Sequence, residues 1–124
     1  MKAVLQRVEK ASVLIKQTGC IRSVRKGLVI LLGIGRDDRD EDVLWMAEKI
    51  SRLRIFDDEQ GRLNLSVQDI KGEILIISQF TLYGNCRRGR RPDFTRAASP
   101  EEALPLYGKF VSEMRKKGLK VETG

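Results

Sequence analysis

Residues 73–94 read EILIISQFTLYGNCRRGRRPDF, and this stretch decides how the rest of the chain is arranged. It opens with four aliphatic residues, Ile74 to Ile77, which predict a strand buried on both faces. The sequence then turns polar, and we expect the same strand to continue from Ser78 to Tyr83. Buried Ser, Gln and Thr side chains need hydrogen-bond partners from the protein or from a bound molecule. The end of this strand is therefore a candidate binding site.

Four arginines occupy five positions directly after this strand, around a glycine that lets the backbone turn: Arg87, Arg88, Gly89, Arg90 and Arg91. The chain carries 24 basic and 17 acidic residues, which gives a net charge of +7. Such an excess of positive charge suggests a polyanionic partner. A polar strand end beside an arginine-rich loop predicts a site for an anionic substrate.

The length of 124 residues is that of one domain, spanning residues 1–124. The longest apolar run, Leu28 to Leu32, is far too short to cross a membrane, and the first residues lead directly into core-like sequence. We therefore expect no signal peptide and no membrane partner. Cys20 and Cys86 form no metal-binding spacing and no disulfide framework. A cytoplasmic protein is the resulting expectation.

The chain contains no histidine, and this absence excludes several kinds of site. Neither a Ser-His-Asp triad, a Cys-His pair nor a His-rich metal centre can be built. The acidic run 37–42 lacks the alternating ligands and central glycine of a calcium loop, so no metal is expected there. A thiol enzyme based on Cys86 is a weak alternative. Neighbouring arginines favour a thiolate, but no base accompanies it, and we interpret Cys86 as an incidental free thiol.

The order of predicted elements is strands, helix, three strands, helix and the start of a strand. This order indicates an α+β domain with a mixed or largely antiparallel sheet covered by helices. The predicted strands are 1–8, 11–15, 21–24, 28–34, 53–56, 63–67, the strand that begins at 74, and 119–123.

Two helix starts are predicted from capping patterns. Asp38 is expected to cap the first helix, with Glu41 completing a capping box. Ser99 is expected to cap the second, followed by Pro100 at the first helical position and a glutamate at the third. Pro105 is expected to kink or restart that helix. Gly118 is expected to end it, because glycine adopts the positive φ that follows a helix.

Arg7 lies among apolar residues of the first predicted strand. Two interpretations are open from the residues alone. It is either a partly buried arginine with a partner, or an arginine on an edge strand that extends its charged group to water.

Several motifs together resemble one enzyme family. They are MKAVLQRV at the amino terminus, LLGIGRDD, KISRLRIFDDEQGRLNLSV, SQFTLY and GRRPDF, then LYGKFV and KVETG. Over all 124 residues the chain is similar to D-aminoacyl-tRNA deacylases. The resemblance implies a barrel-like deacylase fold and a cytoplasmic homodimer that needs no cofactor. It implies hydrolysis of the ester between a D-amino acid, or glycine mischarged on tRNA-Ala, and the tRNA 3′ end, a quality-control step in translation.

The resemblance also implies roles for particular residues. In the family the SQFTL segment forms the aminoacyl pocket, here Ser78, Gln79, Phe80, Thr81 and Leu82. Backbone N–H groups of Phe80 and Thr81 would stabilise the oxyanion of ester hydrolysis without any titrating group. Thr81 is the nucleophile that residue type suggests, yet no base lies near it in sequence. We expect the 2′-hydroxyl of the terminal ribose to orient the water instead. The arginines of the 87–91 loop would hold tRNA phosphates.

The sequence departs from the family pattern in two places. Asp93 stands where the family usually has serine, which adds negative charge beside the arginines. The family also carries a C-terminal Asn-Gly-Pro-x-Thr motif, whose Gly-cis-Pro unit enters the partner subunit's pocket and which Arg7 would contact. These 124 residues contain no such motif, so we expect an incomplete pocket that discriminates poorly against L-amino acids. The alternative function is a catalytically impaired relative that binds tRNA or DNA.

Overall fold

The computed structural model describes all 124 residues. Two helices and eight strands make up its regular structure. The helices are α1 (Asp40–Arg52) and α2 (Pro100–Lys116), and the strands are β1 (Lys2–Val8), β2 (Ala11–Ile15), β3 (Cys20–Val24), β4 (Gly27–Gly33), β5 (Phe56–Asp57), β6 (Leu63–Leu65), β7 (Glu73–Ser78) and β8 (Lys120–Thr123).

The main sheet has four strands in the order β1-β4-β7-β8. Strand β1 runs antiparallel to β4, whereas β4, β7 and β8 are parallel to one another. The predicted α+β class with a mixed sheet is confirmed. In one protomer the sheet has two edges, β1 and β8.

Both helices pack on one face of this sheet and enclose the core. Leu28, Ile30 and Leu32 of β4 point to that face and are completely buried. Val43 and Phe110 cover them from α1 and α2, also with no exposed surface. Each such side chain contributes about 1.5–3 kcal/mol through burial alone. This core fixes the carboxyl end of β7, where the candidate site lies.

The hairpin of β2 and β3 contacts β7 and β8. It covers the face opposite the helices, since Leu75 points away from the core cluster and is nevertheless buried. Strands β1 and β2 are separated by only two residues, yet the structure pairs each with a different partner. Strand β1 forms its backbone hydrogen bonds with the buried strand β4.

The predicted continuation of the central strand to Tyr83 is wrong. Strand β7 ends at Ser78, and Phe80–Tyr83 forms one turn of 3-10 helix. The amide of Gln79 still bonds to the Leu32 carbonyl at 2.8 Å. The Gln79 carbonyl then accepts from the Leu82 amide at 3.3 Å, which closes the turn. The chain leaves the sheet at the residue where the resemblance places the pocket.

The predicted cap of α1 is also wrong. The helix begins at Asp40, and Asp42, not Glu41, accepts a hydrogen bond from the N-cap amide, that of Arg39, at 2.8 Å. Asp38 has other partners, because its carboxylate accepts from the Gly35 amide at 2.6 Å and pairs with the amino-terminal ammonium.

Helix α2 begins as predicted. Ser99 accepts from the Glu102 amide, and the Glu102 carboxylate accepts from the Ser99 amide. Pro105 lies inside the helix without ending it, contrary to the expected restart. Gly118 follows the last turn with φ of +76°, as a helix-ending glycine does.

The middle strands are shorter than predicted. Only Phe56 of the 53–56 segment is in a strand, and Val67 lies beyond the end of β6. Val67 is completely buried in the turn that follows. Val67 therefore continues the apolar alternation of β6 because it packs beneath the turn, and not because the strand extends to it.

Candidate active site at the end of β7

The 3-10 turn Phe80–Tyr83 is anchored by its last residue. The Tyr83 ring is buried and lies against Gly33 and Gly35, where a Cβ on Gly35 would approach the tyrosine hydroxyl to 2.5 Å. The Tyr83 hydroxyl donates to Oδ2 of Asp38 at 3.5 Å. The Lys2 ammonium lies 4.7 Å from the ring centroid. The two glycines leave the space that the ring fills, and this fixes the turn against the sheet.

Tyr83 is not a base at neutral pH. Burial raises its pKa to about 12, with a further rise from the negative charge of Asp38. The hydroxyl therefore stays protonated and remains a hydrogen-bond donor. Its role in this geometry is to hold the turn in place.

Two amides at the start of the turn have no backbone hydrogen-bond partner. Phe80 and Thr81 are the first residues of the 3-10 helix, so the turn itself offers their N–H groups no acceptor. Both residues are exposed. Neighbouring free N–H groups suit a developing oxyanion, because they stabilise negative charge without any change of protonation.

The Thr81 side chain has no basic partner. Its Oγ1 accepts a hydrogen bond from Nε2 of Gln79. An amide is not a base in either orientation, so this contact orients the hydroxyl without activating it. Leu82 is half-buried, and its carbonyl accepts from Nζ of Lys2 at 3.3 Å.

An apolar pocket of about 460 Å³ opens beside this turn. Its lining residues come from the end of β7, the turn and the first turns of α2: Ser78, Phe80, Ala98, Pro100, Ala103, Leu104 and Tyr107. The Tyr107 hydroxyl donates to the Ile76 carbonyl at 3.1 Å, which ties α2 to β7. The pocket is therefore held between two rigid elements.

The arginine loop follows the turn as an exposed surface feature. Asn85 and Asp93 close its base with two backbone hydrogen bonds of 2.8 and 3.0 Å. A cleft of about 420 Å³ is lined by these two residues with Arg87 and Arg88. Arg90 and Arg91 are exposed outside that cleft. None of the four arginines forms an ion pair within the chain.

Asp93 keeps a negative charge inside this loop. Its carboxylate accepts from the Thr95 amide at 2.8 Å, and this hydrogen bond lowers its pKa. The carboxylate thus offsets part of the positive charge of Arg87 and Arg88.

Arg7 is not brought to the turn within one protomer. It pairs in register with Leu28, at the end of β4 opposite to Leu32, beside which Ser78 lies. Its guanidinium lies 3.6 Å from Asp57, with half of the side chain exposed. Of the sequence-predicted residues, the structure gathers Ser78 to Leu82 at one place and puts Arg7 elsewhere.

Sequence reasoning did not identify the residues that support the turn. The sequence predicts Tyr83 in a strand and Asp38 as a helix cap, and it indicates no site role for the α2 residues that line the pocket. The signal that could have identified the anchor is the Gly33-Ile34-Gly35 sequence. Two glycines around one apolar residue at a strand end indicate a close approach of another group. Around the site, no three His, Cys, Asp or Glu side chains lie close enough to hold a metal ion, nor do they elsewhere in the chain.

The α+β fold, with free backbone amides beside an apolar pocket, provides a site suited to ester hydrolysis. Comparison with known proteins gives the family. The family model described as D-Tyr-tRNA(Tyr) deacylase matches residues 4–124. A D-aminoacyl-tRNA deacylase of Thermotoga petrophila is 54% identical over 124 residues, covering 100% of this chain and 83% of that protein. The chain therefore belongs to the D-Tyr-tRNA(Tyr) deacylase family.

Two solved structures share the fold of this chain. The c-Myc DNA Unwinding Element Binding Protein superimposes with a TM-score of 0.90 at 39% identity, covering 100% of this chain and 84% of that one. A structure described as a probable eukaryotic D-amino acid tRNA deacylase has a TM-score of 0.78 at 21% identity. It covers 94% of this chain and 68% of that one and shows the shared fold. In addition, no helix is both long enough and apolar enough to cross a bilayer.

Proposed function

We propose that this protein hydrolyses the ester bond of D-aminoacyl-tRNA, and of glycyl-tRNA, to release the free amino acid and tRNA. The observation that carries the proposal is the 3-10 turn after β7, which begins with the unbonded Phe80 and Thr81 amides and whose Phe80 lines an apolar pocket. Family membership supports the same reaction, since the curated relatives are named for it.

The proposed chemistry needs no titrating side chain. Water attacks the ester carbonyl, and the oxyanion that forms is stabilised by the N–H groups of Phe80 and Thr81. The 2′-hydroxyl of the terminal ribose lies next to the reacting ester and orients the water. The leaving 3′-oxygen takes a proton and departs with the tRNA. The protein contributes position and electrostatic stabilisation.

Substrate binding is divided between two surfaces in this proposal. Ser78, Gln79 and Leu82 surround the aminoacyl group together with the apolar pocket. Arg87, Arg88, Arg90 and Arg91 contact tRNA phosphates, supported by their exposure and lack of ion pairs. Arg7 would join the aminoacyl site only through a second protomer.

A homodimer is also proposed, and the uncovered part of the sheet supports it. Val4 of β1 lies opposite Leu31 of β4 in register. Both side chains point away from the core, Val4 with 49% of its surface exposed and Leu31 half-buried. The β2–β3 hairpin covers only the β7–β8 side, so a second subunit could cover the rest. Because its substrate is tRNA, we place the protein in the cytoplasm.

A nucleic-acid-binding relative without hydrolase activity is the second candidate. It is favoured by the net charge of +7 and by the 39% identity to a protein named for DNA binding. The free amides and the apolar pocket have no use in that function, which favours the hydrolase. The test is release of D-tyrosine from D-tyrosyl-tRNA by the purified chain, measured against spontaneous hydrolysis. Hydrolysis supports the proposal, and tight tRNA binding without any hydrolysis would overturn it.

A further inference from the structure

Three clefts lie next to one another past Phe80, each sharing lining residues with the next, and together they are called the path. The apolar pocket shares Phe80 and Ala98 with a second cleft of about 540 Å³. That cleft shares Arg36 with a third, of about 520 Å³, which extends to Arg96 and Lys2. The path leads away from the site in the direction of the amino terminus and is separate from the cleft lined by Arg87 and Arg88.

The second cleft contains an exposed aromatic pair. The rings of Phe80 and Phe94 pack edge to face, with centroids 5.3 Å apart and planes at 68°. Phe80 is 55% and Phe94 36% exposed, which is high for phenylalanine. Exposed aromatic rings are the surfaces on which unpaired nucleic-acid bases stack, whatever their sequence.

The third cleft adds the positive charge of Arg36 and Arg96. The Arg36 amide donates to the Arg96 carbonyl at 3.2 Å, so the two residues are held next to each other. Both side chains are exposed and neither forms an ion pair.

Two of the three carboxylates that line the second and third clefts already have partners within the chain. Asp38 binds the amino-terminal ammonium, and Glu102 accepts from the Ser99 amide at 3.0 Å. Asp37 is the remaining exposed carboxylate in the third cleft, opposed there by Arg36, Arg96 and Lys2. The net charge along the path favours an anion.

We propose that the unpaired 3′ end of the RNA substrate lies along this path. A base adjacent to the aminoacylated nucleotide stacks on Phe94 and Phe80, and the phosphates that follow contact Arg36 and Arg96. The arginine loop 87–91 then contacts phosphates of the base-paired part of the RNA. This inference rests on the proposed function for the identity of the ligand, and it adds the route by which the strand reaches the pocket.

The test compares two uncharged RNAs, a hairpin with a single-stranded CCA end and the same hairpin with a blunt end. Arg36→Ala combined with Arg96→Ala should weaken binding of the first RNA and lower its salt slope by about 0.7 for each lost phosphate contact. Binding of the blunt RNA should not change. Phe94→Ala should weaken the first RNA about fivefold or more, and Phe94→Trp should restore it. Arg90→Ala with Arg91→Ala is the matched control and should weaken both RNAs alike.

Equal losses for the two RNAs in the Arg36 and Arg96 variant would overturn the inference, as would unchanged binding of the overhang in both the arginine and Phe94 variants. Each variant's thermal midpoint is measured alongside, and Phe94→Trp separates stacking from folding. Because the RNAs carry no amino acid, the result does not depend on hydrolysis. A wild-type protein that prefers the overhang but releases no D-tyrosine would contradict the proposed function and leave this inference standing.

Discussion

Nε2 of Gln79 donates a hydrogen bond to Oγ1 of Thr81, and these two side chains bracket Phe80 at the start of the 3-10 turn. The threonine hydroxyl thus has an amide for a neighbour where a nucleophile would need a base. This relationship supports attack by water, assisted by the backbone amides and by the substrate's own hydroxyl, over attack by the threonine side chain.

Thr81→Ala should therefore retain measurable hydrolysis of D-tyrosyl-tRNA. A substrate with a 2′-deoxy terminal ribose should lose about a hundredfold or more in rate, the usual contribution of a positioned acid or base. Single-turnover hydrolysis with both tRNAs is the measurement, and Thr18→Ala, in the exposed turn between β2 and β3, is a control outside the site. Full activity on the deoxy substrate, or complete loss in Thr81→Ala with the fold intact, would contradict the mechanism.

Replacing Arg90 and Arg91 together with alanine should weaken tRNA binding. The slope of log affinity against log salt should fall by about 0.9 for each phosphate contact to duplex that is lost. Lys16→Ala with Arg62→Ala is the matched control, since it removes the same charge from two other exposed turns. Filter binding at several salt concentrations gives both quantities. The same loss in both double variants would mean that net charge alone attracts the tRNA.

Gly35→Ala should damage the site through Tyr83. The new Cβ would lie 2.5 Å from the tyrosine hydroxyl, so the ring and the turn must move. We expect a loss of about 1–3 kcal/mol in the free energy of unfolding, as for overpacking elsewhere. A displacement of the turn by about 1 Å would slow deacylation about a hundredfold.

Gly108→Ala in α2 is the control for this variant, because a Cβ there meets nothing within 4 Å. That change should be neutral or stabilise the helix by up to about 1 kcal/mol. Wild-type stability and rate in Gly35→Ala would show that the ring does not hold the turn.

Glu73 makes stability depend on acid pH. Hydrogen bonds from the Arg25 amide at 2.7 Å, from the Arg25 side chain and from Lys120 lower the pKa of its buried carboxyl to about 2. Because the folded pKa lies below the usual value of 4.5, the stabilisation is fully present above that value. It is lost as the pH falls towards 2.

Glu73→Gln should therefore lower the thermal midpoint at neutral pH and flatten its decline between pH 4.5 and pH 2. Glu59→Gln, in the exposed turn between β5 and β6, should leave the acid profile unchanged. Identical acid profiles for the wild type and Glu73→Gln would show that other carboxylates govern acid unfolding.

Val4→Glu should dissociate the proposed homodimer, because it places a charge on the uncovered face of β1. Sedimentation at micromolar concentration measures the state of assembly. Leu44→Glu, an equally exposed position on α1, is the control and should remain dimeric. A wild-type protein that is monomeric under these conditions would contradict the proposed homodimer.

The parts of the fold that sequence predicts well are those fixed by local pattern. Strand β2 has its predicted bounds because apolar and polar residues alternate between two turns. Ser99 caps α2 because serine, proline and glutamate stand at the three positions that a capping box uses. Both depend on neighbours within a few residues.

The parts that were mispredicted depend on distant partners. Asp38 fits a helix cap by residue type, yet it binds the amino terminus 37 residues away and Tyr83 45 residues away. The residues after Ser78 contain no glycine or proline before Gly84, so nothing local indicates that the strand ends there. The roles of the SQFTL residues came from family resemblance, and no local pattern would have supplied them.

The parallel ladder that places the site also sets the order in which the sheet can form during synthesis. Strands β1 and β4 pair between Lys2 and Gly33, so that ladder can close once residues 1–33 have emerged. Strand β7 begins 40 residues after the end of β4, so it is synthesised later. Strand β8 begins 42 residues after the end of β7. A ribosome adding about 5–20 residues per second therefore leaves the apolar edge of β4 unpaired for seconds. Chaperones that shield such an edge would act in this interval, before the turn at Phe80 exists.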